Sequence, residues 1–127
     1  MPTRTAVHTD KAPPPLPVYS QAIICNGMVY CSGQVGVDPA TKQMNQGGVG
    51  DRAKQCLTNL SAVLTEAGSS MNNVVKVGVF LTAMDNFAAV NREYEKWFGD
   101  LKPSRTCVAV HQLPMQTDVE IECIAHL

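Results

Sequence analysis

The 127-residue sequence predicts an α+β fold, a mixed and mainly antiparallel sheet with two helices packed on one face. Asn26-Gly27 separates two apolar runs, the strongest short-range signal for a hairpin. Apolar residues recur at helical spacing over 51–67 and again after Asp85. Strand-like segments stand between and after these helices, so the element order reads β-β-α-β-α-β-β.

Residues 3–8 can form a short strand, and residues 1–17 as a whole read as an extended N-terminal segment. Ala12-Pro-Pro-Pro-Leu-Pro17 excludes helix and central strand alike, because proline lacks the amide donor. Gln21–Cys25 and Met28–Ser32 are the hairpin strands. Residues 33–50 read as loop, with a turn at Asp38-Pro39 and a breaker at Gly47-Gly48. From Asp51 to Ala67 one helical face carries Ala53, Cys56, Leu57, Leu60, Val63 and Leu64, and Gly68 closes it.

Val74–Leu81 is a valine-rich buried strand. Asp85 is placed to cap a second helix, running to about Phe98 and ended by Gly99. Its inward face presents Phe87, Val90, Tyr94 and Trp97. Asn91 shares that face, and a buried amide must find partners. Two strands follow, near Arg105–Val110 and Val119–Ala125. The strands are apolar at nearly every position, whereas two helices cover one face of a sheet. Self-association is the expected remedy.

Composition narrows the function. The chain is 45% hydrophobic and 17% charged, as expected of one globular domain spanning 1–127. A net charge of -1 and a pI near 6.3 offer no general attraction for nucleic acid or anionic membrane. Five cysteines, odd in number and without C-x-x-C spacing, argue against a disulfide framework or zinc site and for a reducing compartment. The N-terminus lacks a secretory apolar region, which favours the cytoplasm, with mitochondrial or nuclear location as alternatives. No phosphate-loop, dinucleotide or zinc-hydrolase motif occurs.

The candidate chemistry gathers near the C-terminus. Arg105 stands among small and apolar residues of a strand, on one face with Cys107, while Thr106 and Val108 take the other. If the last two strands pair around Leu113-Pro114, Glu120 and Glu122 can reach Arg105. One reading is a structural ion pair. The other is an arginine that grips a ligand carboxylate beside a glutamate general acid/base. Cys107 has no local base to activate it and reads as a packed thiol rather than a nucleophile. Ser32-Gly33 ends a strand where main chain can approach a ligand, and Tyr19 stands on the loop entering the sheet.

These residues resemble the Rid/YjgF family of reactive-intermediate imine deaminases. The match runs from about Tyr19 to Leu127. It is most specific in Pro103-Ser-Arg-Thr-Cys-Val-Ala-Val, Leu113-Pro114 and Val119-Glu-Ile-Glu, with Tyr19-Ser-Gln-Ala, Ser32-Gly-Gln and Asp85-Asn-Phe-Ala-Ala-Val-Asn-Arg-Glu-Tyr also similar. Pro17-Val18 stands where relatives often have Gly-Pro, and Ser104 where alanine is frequent. The resemblance implies a chorismate-mutase-like fold and a homotrimer with sites between subunits. It implies hydrolysis of enamines and imines such as 2-aminoacrylate, 2-iminobutanoate and 2-iminopropanoate to 2-keto acids and ammonia, without metal or cofactor. Arg105 and Glu120 would then be catalytic, with Tyr19, Ser32, Gly33, Asn91 and Cys107 around the substrate. Two alternatives stand beside it: an endoribonuclease that inhibits translation, and a non-catalytic, small-carboxylate-binding or chaperone-like trimer.

Overall fold

The computed structural model describes residues 3–127. Strands β1 (Thr5–Val7), β2 (Ala22–Cys25) and β3 (Met28–Gln34) open the chain, and a two-stranded ribbon follows, β4 (Val37–Asp38) with β5 (Gln43–Met44). Helix α1 (Val49–Glu66), strand β6 (Val74–Leu81), helix α2 (Phe87–Tyr94), strand β7 (Ser104–Ala109) and strand β8 (Val119–His126) complete it. The main sheet runs β1-β2-β3-β8-β6-β7. β6 and β7 are parallel, and every other neighbouring pair is antiparallel. The α+β architecture and the mixed, mostly antiparallel sheet are those the sequence predicts.

The Asn26-Gly27 turn has φ of 54° and 78°, the left-handed pair a tight hairpin requires. Gly68 ends α1 at φ +87°. Asp51 accepts a bond from the Gly48 amide at 3.0 Å and so holds the N-terminus of α1.

Four expectations need correction. The 33–50 stretch is not all loop, because β3 continues to Gln34 and the β4–β5 ribbon forms within it. Asp85 does not cap α2. It lies in a 3-10 turn over Met84–Asn86, and the helix begins without a side-chain cap. That helix is also shorter than expected, passing into a 3-10 turn over Glu95–Trp97 before Phe98 adopts extended backbone. Finally, the last two strands do not pair. β6 lies between them, bonded in parallel to β7 and antiparallel to β8. A loop through Leu113-Pro114 carries the chain across β6, a jump that local pattern does not announce.

Burial alternates along the central strands. Val77, Val79 and Leu81 of β6 and Val119, Ile121, Cys123 and Ala125 of β8 are buried. They meet Ala53, Cys56, Leu57, Leu60, Val63 and Leu64 of α1 and Val90 and Tyr94 of α2 in one core. Tyr30, Phe80, Val108 and Ile124 point away from both helices, and Tyr30 and Val108 remain 47% and 41% accessible. The sequence overstated the apolarity of this face, for Glu120, Glu122, Thr106 and Gly78 share it. Among the described residues no helix is long and apolar enough to cross a membrane.

Two polar networks hold the loops that surround the open face. The fully buried Asn59 side chain donates to Gln34 Oε1 at 3.2 Å and to the Val37 carbonyl at 2.8 Å, and accepts from Gln55. Arg52 forms a two-pronged pair with Asp118, both contacts at 2.7 Å, and also donates to the carbonyls of Asn45 and Gly47. One guanidinium thereby ties the ribbon, the start of α1 and the entry to β8. Hydrogen bonding to Arg52 lowers the Asp118 pKa below the ordinary carboxylate range. Its contribution is therefore present above the unfolded-state pKa and is lost as pH falls through the folded-state value. We expect Arg52→Met to cost about 2 kcal/mol in urea denaturation at pH 7. The difference from wild type should shrink as the pH is taken below 4; a gap that persists unchanged would deny the pair this role.

Candidate functional site

Strand register decides which predicted site residues can meet. Arg105 is opposite Val77, and Val77 is also opposite Cys123, so Arg105 projects from the helix-covered face at the β7 edge. Glu120 is opposite Phe80, which is opposite Val108, and all three project from the open face. Arg105 and Glu120 of one chain therefore lie on opposite sides of the sheet. Glu122, opposite Gly78, shares the face of Glu120. The expectation that either glutamate reaches the face of Arg105 fails because β6 intervenes and β7 and β8 never form the hairpin it required.

What Arg105 meets instead is α2. Asn91 Oδ1 accepts from its Nη1 at 2.8 Å. The guanidinium carbon lies 4.7 Å from the Tyr94 ring centroid and 5.5 Å from that of Phe87. Phe87, Asn91 and Tyr94 are four and three residues apart, which stacks them on one helical face. Two aromatic rings and one amide thus hold the cation in place without neutralising it. Among the described residues no carboxylate pairs with Arg105; the salt bridges are His8–Asp10, Arg52–Asp118 and Glu93–Lys96. The structural ion pair weighed for Arg105 is absent. Asn91 bonds Arg105 rather than neighbouring backbone, and Phe87 and Tyr94 complete a cradle not legible from spacing alone. The Tyr94 hydroxyl is buried without a hydrogen-bond partner.

Cys107, two residues along the same strand face, packs partly buried against the core. Burial pushes its thiol pKa upward, the reverse of what an activated nucleophile requires. That agrees with the reading of a packed thiol.

The remaining residues gather around Glu120. Between Cys31 and Gln34 of β3, opposite Cys123 and Ile121 of β8, the register slips, so Ser32 and Gly33 both stand against Glu122. This bulge re-aims the strand beside the glutamates. A Cβ on Gly33 would meet the Glu120 carboxylate and force it to shift, so glycine leaves that side chain its place. The Ser32 hydroxyl donates to the Ser20 carbonyl at 2.6 Å and fixes the approach of Tyr19. Tyr19, Ser32, Gly33 and Glu120 line one cavity of about 510 Å³ with the proline arm, Lys42 and Met115. Burial, and then the nearby Glu122 charge, raise the Glu120 pKa above the ordinary glutamate range.

Gln21, by sequence pattern only a strand residue, anchors this wall. Its buried amide accepts from Thr9 N at 2.7 Å and donates to the carbonyls of Thr9 and Pro13 at 3.0 and 2.9 Å. The proline arm is thereby held over the cavity. A polar residue between a proline run and an apolar strand was the available signal. Among the described residues no cluster of three or more His, Cys, Asp or Glu is arranged to hold a metal ion.

With this geometry, comparison with known proteins is informative. The sequence profile of the family described as Endoribonuclease L-PSP matches residues 9–127. The chain belongs to the Rid/YjgF family. It is 51% identical to the protein mmf1, mitochondrial, of Schizosaccharomyces pombe, over 98% of this chain and 77% of that protein. It is 44% identical to the 2-iminobutanoate/2-iminopropanoate deaminase of Mus musculus, over 96% and 90% of the two chains. The crystal structure of E. coli TdcF with bound serine superposes with a TM-score of 0.92 at 34% identity, covering 97% of this chain and 98% of that one.

A carboxyl whose folded-state pKa is raised binds its proton more tightly in the folded chain. Stability is then lost as pH rises from the unfolded-state value through the folded one. Glu120→Gln should accordingly raise the thermal midpoint at pH 7, with the gain fading below pH 4. A variant that melts lower than wild type at pH 7 would contradict the burial argument.

Proposed function

We propose that this Rid/YjgF family protein hydrolyses reactive imines and enamines of 2-amino acids, 2-iminobutanoate and 2-iminopropanoate among them, to 2-keto acids and ammonia. One observation carries the reading. An arginine held by an amide and two aromatic rings, with no carboxylate on it among the described residues, is a ready partner for a small acid. The deaminase name borne by the mouse relative supports the same chemistry, and the serine bound by TdcF supports an amino-acid-sized ligand.

The site so proposed is shared between subunits. A small imino acid cannot span the two faces of a sheet, so Arg105 and Glu120 serve one substrate when they come from different chains. A contact that sets the open face of one subunit against the β7 edge of the next is head-to-tail, and such a contact makes a ring when its rotation closes. The apolar residues of the open face, Tyr30, Phe80, Val108 and Ile124, favour such closure. A homotrimer of chorismate-mutase-like subunits is the arrangement we infer.

In this reading Arg105 fixes the substrate carboxylate, Asn91 orients Arg105, and main chain at Cys107 borders the pocket. The neighbouring subunit supplies Glu120, with Tyr19, Ser32 and Gly33 as wall. An imine carbon is already electrophilic, so the demands are a placed water and proton traffic. The Glu120 carboxylate takes a proton as water adds to the carbon. The same group returns it to nitrogen, giving the carbinolamine, and then carries the hydroxyl proton to that nitrogen as the carbon–nitrogen bond breaks, so that ammonia leaves and the keto group forms. A glutamate with a raised pKa suits both halves of that exchange. The cytoplasm is the proposed location, with the organelle named for mmf1 as the alternative.

An RNA-cleaving role, as in the family's description, would call for a positive field that a net charge of -1 does not provide. With imines released by an amino-acid oxidase, Arg105→Ala should lower kcat/KM by roughly 100-fold. The wild-type rate should fall toward acid pH with a midpoint above the ordinary glutamate range. Imine decay that is no faster with wild type than without protein would end this proposal.

A further inference from the structure

All five cysteines are free thiols, and strand register brings two of them face to face. Cys31 of β3 stands directly opposite Cys123 of β8, although most of the chain separates them in sequence. Among the described residues no other two cysteines are so placed. Cys25 is opposite Met28, Cys107 is opposite Val79, and Cys56 lies in α1. Both facing thiols belong to the core beneath the helices, with Cys31 8% and Cys123 3% accessible.

The ladder sets their separation. Leu127 N donates to the Gly27 carbonyl at 3.0 Å, and every second pair along β3 and β8 repeats that hydrogen-bonded type, through Val29–Ala125 to Cys31–Cys123. On the other side of β3, Ser32 N donates to the Gln21 carbonyl, so Cys31 turns its own amide and carbonyl toward β8. The Cα atoms of such a pair stand about 5.5 Å apart, within the range of about 4.4–6.8 Å that a disulfide spans. Their Cβ atoms stand about 4.5–5.5 Å apart, wider than the roughly 3.8 Å of a relaxed disulfide. A bond closed here draws the strands together and stores strain, and a strained disulfide is readily reduced again. The register slips just after Cys31, which gives β3 slack where the bond would form. Interaction with the Cys31 thiol, and then burial, raise the Cys123 pKa. Cys123 therefore keeps its proton, while the more accessible Cys31 meets an oxidant first.

We propose that Cys31 and Cys123 form a peroxide-responsive dithiol, closing a reversible disulfide between β3 and β8 that stiffens the bulge carrying Ser32 and Gly33. The Cys31 sulfur attacks one oxygen of hydrogen peroxide, and the O–O bond breaks. The released hydroxide takes the Cys31 proton and leaves as water, and Cys31 becomes a sulfenic acid. The Cys123 sulfur then displaces the sulfenic hydroxyl, and its own proton departs with that group as a second water. The two sulfurs give up two electrons in all, and the peroxide accepts them. This inference stands on the pairing of β3 with β8 and is independent of the imine-hydrolase reading.

The test treats the full chain with hydrogen peroxide at neutral pH, unfolds it in guanidinium with N-ethylmaleimide and maps it by mass spectrometry. The disulfide lowers the mass by about 2 Da and should yield one linked pair of peptides, joined at Cys31 and Cys123. Dithiothreitol should restore both thiols. Cys31→Ser and Cys123→Ala should each abolish the link, whereas Cys25→Ser should leave it. In wild type, amide exchange at Ser32 and Gly33 should slow about tenfold on oxidation and recover on reduction. Peroxide that carries Cys31 to a sulfinic acid, or leaves both thiols free, would overturn the proposal. A linked pair with unchanged exchange at Ser32 and Gly33 would overturn it too. Wild type alone decides these outcomes, so a variant that fails to fold does not shield the proposal.

Discussion

Strand β6 separates the two groups on which the account turns. Because it takes β7 in parallel on one side and β8 antiparallel on the other, Arg105 emerges beneath α2 while Glu120 emerges on the opposite face. No rotamer change moves a side chain through a sheet. A cation without a counter-charge among the described residues and a carboxyl with a raised pKa are thus kept apart within one chain. The same geometry forbids a structural ion pair between them within one chain.

Each group is held by neighbours that do not neutralise it. Aromatic faces and an amide stabilise the guanidinium while leaving its charge available, whereas a carboxylate would have consumed it. Around Glu120 the backbone does the corresponding work. A bulge brings Ser32 and Gly33 against β8, glycine leaves the space the carboxylate occupies, and the Gln21 and Arg52 networks fix the loops on either side. The Gln21 network is buried and the Arg52 pair partly so, which makes them stiff as well as stabilising.

Much of the architecture was legible in the sequence because its signals are local. Asn26-Gly27 demands positive φ, the apolar stripe of 51–67 demands a helix, and Gly68 marks its end. Arg105 and Asn91 could be singled out because a charge and an amide on apolar faces must be accounted for. What could not be read was long-range. The insertion of β6 between β7 and β8 depends on the whole sheet, and with it goes the side of the sheet on which Glu120 lies. The aromatic partners of Arg105, the Arg52–Asp118 clamp across 66 positions and the Gln21 tether across 12 are likewise tertiary. The apparent all-round apolarity of the strands misled for a related reason, since valine is common on either face of a sheet and only pairing tells which face is covered.

The central claim is that a single working site draws its arginine from one subunit and its glutamate from another. Subunit complementation addresses it most directly. Arg105→Ala and Glu120→Gln proteins, each inactive alone, would be unfolded together at equal amounts, refolded as mixed assemblies and assayed for imine hydrolysis. Sites shared between chains should recover about a quarter of wild-type activity, because half the arginine positions and half the glutamate positions are intact and they combine at random. Mixed assemblies that form and stay as inactive as their parents would show that both groups must come from the same chain.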